Sequence, residues 1–256
     1  MLGDLIAGAV ADASARRTLR SQSQVETTAL ERAPAIDVLE ALRPAEQVRI
    51  IAEIKRSSPS KGALSDIPDP AALATLYQSS GASAISVLTE GRRFGGSLAD
   101  LEAVRAAVDI PVLRKDFIVL PYQVLEARAA GADLVLLMAS ALDQPALVEL
   151  HALVTELGMT PLVEAHDAGE LSRAIDVGAR LVGVNARNLD TFELDRELFG
   201  KLVDRIPSGT IKVAESAVTS AEDVAHYRKA GADVVLVGEA LVTGDPVAML
   251  QEFLAV

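Results

Sequence analysis

The sequence predicts an α/β fold, a closed (β/α)8 barrel of the TIM type with an N-terminal helical extension, and three observations predict it. A Gly-Ala phrase recurs at Gly81-Ala82, Gly131-Ala132, Gly178-Ala179 and Gly231-Ala232, each time where a helical pattern gives way to a short apolar run. The runs that follow are short, β-branched and apolar on both faces, as the strands of a parallel sheet are when both sides are covered. A further apolar run lies between successive phrases, so strand and helix alternate strictly, which implies parallel strands and right-handed crossovers. Eight such units in about 210 residues fit a barrel near the compact end of its range. A doubly wound open sheet is the structural alternative.

The elements follow in order. Residues 1–48 precede the first strand, and Leu2, Leu5, Ile6 and Val10 trace a helical stripe along them. With no linker after it, this segment is read as an extension of one domain spanning residues 1–256. It caps the barrel bottom, lies over the top or meets a partner. The first strand runs from Ile50 to Lys55 and the second from Ala84 to Leu88. The third, Pro111 to Lys115, leads to a helix over Pro121 to Ala130. The fourth, Leu134 to Leu137, leads to a helix over Gln144 to Leu157. Pro161 to Glu164 and Leu181 to Val184 make the fifth and sixth. The seventh, Ile211 to Glu215, is followed by a helix over Ala221 to Ala230 and then the eighth, Val234 to Val237.

Composition narrows the chemistry. The net charge of -12 repels nucleic acid and anionic membrane surfaces, and no run of Lys and Arg offsets it. Arg16, Arg17 and Arg20 are flanked by Asp4, Asp12 and Glu26 and read as a solvated helix face. Without cysteine there is no disulfide, thiolate nucleophile or Cys-based metal site. His151, His166 and His226 are too scattered for a histidine metal site. No metal and no organic cofactor is expected. No apolar stretch is long enough to span a bilayer, and Asp4 and Asp12 interrupt what would be a secretory signal. A cytoplasmic protein, monomer or weak homo-oligomer, is the expectation.

In such a barrel the reactive groups stand at the C-terminal ends of the strands and on the loops that follow. The first strand ends in Glu53-Ile54-Lys55, and alternation puts Glu53 and Lys55 on one face, the barrel interior. Lys115-Asp116-Phe117, Glu164-Ala165-His166, Asn185-Ala186-Arg187-Asn188 and Glu215-Ser216 end four more strands. Of six lysines, two fall at strand ends beside carboxylates. One such placement reads as a rim ion pair, but a ring of two lysines and three glutamates points to acid-base work. A phosphate grip is also legible. Gly238-Glu239-Ala240-Leu241 opens a short helix after the eighth strand, whose N–H groups suit an anion. Arg56-Ser57-Ser58-Pro59-Ser60-Lys61-Gly62 adds hydroxyls and cations, and Gly91 to Gly96, with Arg92, Arg93 and Phe94, is a candidate lid.

Glu53-Ile54-Lys55-Arg56-Ser57-Ser58-Pro59-Ser60 resembles the signature of indole-3-glycerol-phosphate synthases, Glu-x-Lys followed shortly by Ser-Pro-Ser. The likeness continues in order through Leu88-Thr89-Glu90, Phe94-x-Gly96-Ser97, Leu113-Arg114-Lys115-Asp116-Phe117-Ile118, Leu162-Val163-Glu164, Gly183-Val184-Asn185-Ala186-Arg187-Asn188-Leu189 and Val213-Ala214-Glu215-Ser216. It covers the chain from Ile50 to Val242.

The resemblance implies a phosphorylated small-molecule substrate, 1-(2-carboxyphenylamino)-1-deoxyribulose 5-phosphate. It implies ring closure to indole-3-glycerol phosphate with loss of carbon dioxide and water, a carboxy-lyase step of tryptophan biosynthesis. The residues fit that chemistry. Lys115 protonates the carbonyl oxygen as an aromatic carbon attacks the ketone. Arg187 and Lys55 are the candidates to orient the carboxylate. Glu164 serves as base and Lys55 as acid in the dehydration. The division of labour between the lysines stays open. Glu53 holds a lysine or a substrate hydroxyl, and Asn185 and Glu215 complete the ring. Ser58, the Ser216-Ala217 turn and Gly238-Glu239 bind phosphate, while Phe94, Phe117, Leu136 and Leu189 pack the aromatic ring.

Two departures stand out: Ala217, where many relatives have glycine, and Ala186, where many have a polar residue. If the backbone at 217 needs a positive φ, alanine is strained there. The alternatives are a sugar-phosphate isomerase or epimerase on the same fold, which needs only one acid-base pair, and a non-catalytic binding protein, which would not need the intact ring.

Overall fold

A computed structural model of the chain describes residues 1–188 and 191–256. Eight parallel strands close on themselves: β1 (Arg49–Ile54), β2 (Ala84–Leu88), β3 (Val112–Lys115), β4 (Leu134–Met138), β5 (Thr160–Ala165), β6 (Leu181–Asn185), β7 (Ile211–Glu215) and β8 (Val234–Val237). Closure is made by β1, which sets Ile51 opposite Ala84 of β2 and Arg49 opposite Val234 of β8. This is the (β/α)8 TIM barrel. Alternation along each strand divides the apolar residues into two sets. Ile51, Ala84, Leu113, Leu162, Val213 and Leu236 pack together inside the barrel. Ile50, Ala52, Val87, Val135, Val163 and Val235 belong to the larger core between strands and helices.

The Gly-Ala phrases end helices as expected. Gly81, Gly131, Gly178 and Gly231 all have φ between 80° and 101°, the left-handed cap glycine adopts without strain. Each following alanine N–H donates back to the residue five earlier: Ala82 to Tyr77, Ala132 to Ala127, Ala179 to Ala174 and Ala232 to Tyr227. These are the bonds of a Schellman motif, and they turn the chain sharply into the next strand. Helix starts are set by side chains. Asp69, Ser97, Asp143 and Asp167 each accept a backbone N–H at the N-cap of α4 (Pro70–Ser79), α5 (Leu98–Ala107), α7 (Gln144–Glu156) and α8 (Ala168–Asp176). Between α5 and α7, α6 (Pro121–Ala130) matches its expected bounds.

Two local features differ from expectation. Lys55 lies one residue past β1, and the loop after it folds into a small hairpin pairing Ser57–Ser58 with Gly62–Ala63. After β6 the helix α9 spans only Leu198–Leu202, extended by a 3-10 turn over Val203–Arg205. Helix α10 (Ala221–Lys229) precedes β8, and the short helix expected after β8 is α11 (Glu239–Thr243), followed by α12 (Pro246–Leu254).

The N-terminal segment reaches both ends of the barrel. Helix α1 (Leu2–Leu19) buries Leu5, Gly8, Ala9 and Ala13, while Ile6 and Val10 are only half buried. The expected stripe is therefore rotated. Small residues face the barrel because the helix lies close: a Cβ on Gly8 would stand 3.3 Å from Arg92 Cδ. Asp12 pairs with Arg92 at 2.6 Å and Arg16 with Glu126 at 2.5 Å, fixing α1 over the top. Helix α2 (Gln22–Glu31) descends along α6 through Val25 and Ala29. Helix α3 (Val38–Ala41) then brings Val38 and Leu42 into the interior cluster, and the Ile36 N–H donates to Asp133 just before β4, at the bottom. Among the described residues, no helix is long and apolar enough to cross a membrane.

Candidate active site

A cavity of about 250 Å³ opens at the C-terminal ends of the strands. Its wall includes Glu53, Lys55, Lys115, Glu164, Asn185 and Glu215, contributed by β1, the residue after it, β3, β5, β6 and β7. Five of the six stand on strands, whose ladders fix their directions. Ser58, Arg187, Ser216, Ala217, Gly238, Glu239, Phe94, Phe117 and Leu136 line the same cavity. The structure thus brings together every residue given a catalytic or substrate-binding role above except Leu189, which lies outside the described residues.

The charged groups form two linked sets. Lys115 Nζ stands between two carboxylates, 2.8 Å from Glu215 Oε2 and 3.1 Å from Glu164 Oε2. Burial opposes its charge, but Glu164, Glu215 and Glu53 hold the ammonium above the ordinary lysine value. Lys55 Nζ donates to Glu53 Oε1 at 2.7 Å, and Ser86 Oγ to Glu53 Oε2 at 3.3 Å. Burial works against the Glu53 charge, and Lys55 with Lys115 overcomes it, so Glu53 titrates below the usual range.

Glu164 and Glu215 diverge. Burial raises both, yet Lys115 and His166 hold Glu164 well below an ordinary carboxylate. For Glu215, burial and the neighbouring Glu164 outweigh Lys115 and push it up to about 8. The two carboxylates titrate as a pair, which holds one negative charge more readily than two. Glycine makes room for these groups. A Cβ at Gly183 would stand 2.1 Å from Glu215 Oε1, and one at Gly238 2.5 Å from Glu53 Oε1.

Asn185 Oδ1 accepts from Ser216 Oγ at 2.8 Å and from the Arg187 N–H at 3.0 Å, so the amide is held in one orientation. Beside it Ser216 and Ala217 both adopt left-handed backbone, with φ of 69° and 58°. Alanine here is in a strained region that glycine would relieve. Such a turn is the kind of backbone that gathers N–H groups into an anion site. Across the cavity, Lys61 of the hairpin loop pairs with Glu239 at the start of α11.

The apolar wall holds Phe94 and Phe117, their ring centroids 6.1 Å apart, with Leu136. The loop carrying Phe94 is shaped by Glu90, whose carboxylate accepts the N–H groups of Arg92, Arg93 and Phe94. Leu5, Met138, Phe192, Leu194 and Arg196 also line the cavity and went unnoticed as site residues. Only the apolar pair Phe192 and Leu194 in an otherwise polar loop offered a signal for the loop residues. Arg196 is tied by its Nη1 to Asp223 Oδ1 at 2.6 Å, and Asp223 also accepts from Thr219 beside the left-handed turn.

This arrangement can give protons from ammonium groups, take one on a low-pKa carboxylate, and hold an anion beside an apolar slot. A sequence profile described as Indole-3-glycerol phosphate synthase matches residues 3–253. The chain is 69% identical over 253 residues to an indole-3-glycerol phosphate synthase of Leifsonia xyli subsp. xyli, covering 99% of this chain and 97% of that protein. It is 60% identical over 247 residues to one from Parafrankia sp., covering 96% and 91%. Among solved structures, 3-hexulose-6-phosphate synthase from Salmonella typhimurium superposes with a TM-score of 0.65 at 16% identity, over 81% of this chain and 97% of that one. Thiamine phosphate pyrophosphorylase from Pyrococcus furiosus gives 0.60 at 16% identity, over 81% and 93%. At that identity the two structures speak for the barrel alone.

Proposed function

The chain belongs to the indole-3-glycerol phosphate synthase family, and from that premise we propose how its charged ring divides the family's reaction. The enzyme is a carboxy-lyase of tryptophan biosynthesis. It converts 1-(2-carboxyphenylamino)-1-deoxyribulose 5-phosphate to indole-3-glycerol phosphate, carbon dioxide and water.

The ring carbon bearing the carboxylate attacks the ketone, and Lys115 gives a proton to the carbonyl oxygen as the new bond forms. The carbon–carboxylate bond then breaks, and its electron pair restores the aromatic ring as carbon dioxide leaves. Arg187 orients the carboxylate before it departs. In the last step Glu164 takes a proton from the methylene carbon next to nitrogen. The hydroxyl leaves as water with a proton from Lys55. Two protons are given and one is taken, and the net proton balances the carboxylate charge lost as carbon dioxide. Glu164 can return its proton to Lys115 across their 3.1 Å contact, so one pair serves two steps.

The observation that carries this reading is the position of Lys115 Nζ between two buried carboxylates, 3.1 Å from Glu164 and 2.8 Å from Glu215. Glu53 holds Lys55, and Asn185 and Glu215 complete the ring. Ser58, Ser216, Ala217, Gly238 and Glu239 form the phosphate end, and Phe94, Phe117 and Leu136 the aromatic slot. Residues 1–48 belong to the same domain as the barrel, since Leu5 joins the cavity wall and Leu42 the barrel interior. We read the chain as a cytoplasmic protein, monomer or weak homo-oligomer, and the net charge of -12 supports its avoiding nucleic acid and anionic membrane surfaces. Turnover of the carboxyphenylamino substrate, followed by indole fluorescence in Lys55, Lys115 and Glu164 variants, tests the assignment. Single-turnover release of carbon dioxide separates the two lysines. A Lys55→Met enzyme should release it and stall before dehydration, whereas Lys115→Met should not release it.

A further inference from the structure

Glu164 carries a second contact on the oxygen that does not face Lys115. Its Oε1 lies 3.3 Å from Nε2 of His166, the first residue past β5. That ring nitrogen is buried and has no better-aligned partner among the described residues. The imidazole is held from behind: Nδ1 stands 3.1 Å from Glu170 Oε2, and the same oxygen accepts the His166 backbone N–H at 2.8 Å. Glu170 is itself placed in the first turn of α8, its N–H donating to Asp167 Oδ1. His166 is not part of the cavity wall.

We propose that His166 is a positioning residue for the base, standing as an imidazolium between Glu164 and Glu170 to aim the Glu164 carboxylate and keep it ionised. The inference rests on the reading of Glu164 as base. A buried carboxylate ordinarily takes up a proton rather than remain charged. Lys115 alone does not prevent that, because it is shared with Glu215 and surrenders its proton to the substrate in the first step. At that moment Glu164 loses one counter-charge. His166 takes no part in proton transfer and supplies the other throughout. Burial would lower the imidazole's pKa, but Glu164 and Glu170 push it up to about 10, in line with this geometry. The charged groups facing Glu164 are Lys115 of β3, Glu215 of β7 and His166; those facing His166 are Glu164 and Glu170. Strand β4 and the turn at Ala139–Ala141, packed beside β5, contribute no charged side chain.

The test is the pH dependence of kcat and KM for the wild type, His166→Gln, Glu170→Gln and Glu164→Gln. Without the imidazolium the proton affinity of Glu164 rises. The acid limb of kcat should move to higher pH by about one unit, and kcat at neutral pH should fall about tenfold with KM within about twofold. Glu170→Gln loosens the same ring from outside and should move the limb the same way by less, even where a His166 variant fails to fold. Proton NMR of the three histidines should show one ring still protonated above pH 9. Three histidines titrating near the ordinary value, or unchanged kcat and acid limb in folded His166→Gln beside an inactive Glu164→Gln, would overturn the positioning role and spare the base. A fully active Glu164→Gln would refute the base itself.

Discussion

Lys115 Nζ lies 3.1 Å from Glu164 Oε2, and among the described residues it is the one cation that the buried carboxylates Glu164 and Glu215 both contact. Removing it leaves Glu215 with no counter-charge and Glu164 with His166 alone. Lys115→Met should cost about 3–5 kcal/mol of stability where these carboxylates are ionised. The stranded carboxylates escape that cost by taking up protons, so the loss should be smaller at pH 5 than at pH 8. Urea unfolding at the two pH values checks this. An equal loss at both would mean that the lysine is not the carboxylates' counter-charge.

Glu215 ties stability to pH in the opposite sense from most carboxylates. Its pKa in the folded chain is raised, to about 8, chiefly by burial. The stability it contributes is fully present below the unfolded value near 4.5 and is lost as pH rises through about 8. The unfolding temperature should decline between pH 5 and 8, and Glu215→Gln should flatten that decline. A decline of the same size in the variant would assign it to another group.

Ala217 has a φ of 58°. Glycine adopts this backbone freely, so Ala217→Gly should stabilise the fold by about 1 kcal/mol, the left-handed penalty less glycine's greater freedom when unfolded. Chemical denaturation measures it. A destabilised variant would mean that the alanine methyl is worth more in packing than its backbone strain costs.

Gly183 is needed for space rather than for its backbone. Its Cβ would stand 2.1 Å from Glu215 Oε1. Gly183→Ala must displace that carboxylate from Lys115, at about 1–3 kcal/mol in overpacking. The fold should survive, as judged by circular dichroism, while kcat drops by at least about tenfold. Wild-type kcat in the variant would show that Glu215 need not stand where it does.

The barrel was legible because its strands are buried on both faces and its helices end in one repeated cap. Gly131-Ala132 announces both the end of α6 and the start of β4, and local chemistry alone dictates this. The ring of Glu53, Lys115, Glu164 and Glu215 was legible for a related reason: charge at the end of an apolar strand has few structural uses. Periodicity says nothing of long-range packing. Ile6 and Val10 fit the helical stripe of α1, yet Gly8, Ala9 and Ala13 are buried instead, because the helix lies close enough that a Cβ on Gly8 would meet Arg92. Phe192 and Arg196 reach the cavity through an irregular loop whose course no local pattern encodes. His166 was named at its strand end without a partner, since Glu170 meets it only once α8 begins.

The division of chemistry between Lys115 and Glu164 is tested most directly by turnover of 1-(2-carboxyphenylamino)-1-deoxyribulose 5-phosphate, followed by indole fluorescence, in Lys115→Ala and Glu164→Gln. Both proteins should fold, by circular dichroism, and each should lose at least about 10²-fold in kcat, the scale of a positioned acid or base. Wild-type turnover by either folded variant would contradict the role assigned to that residue.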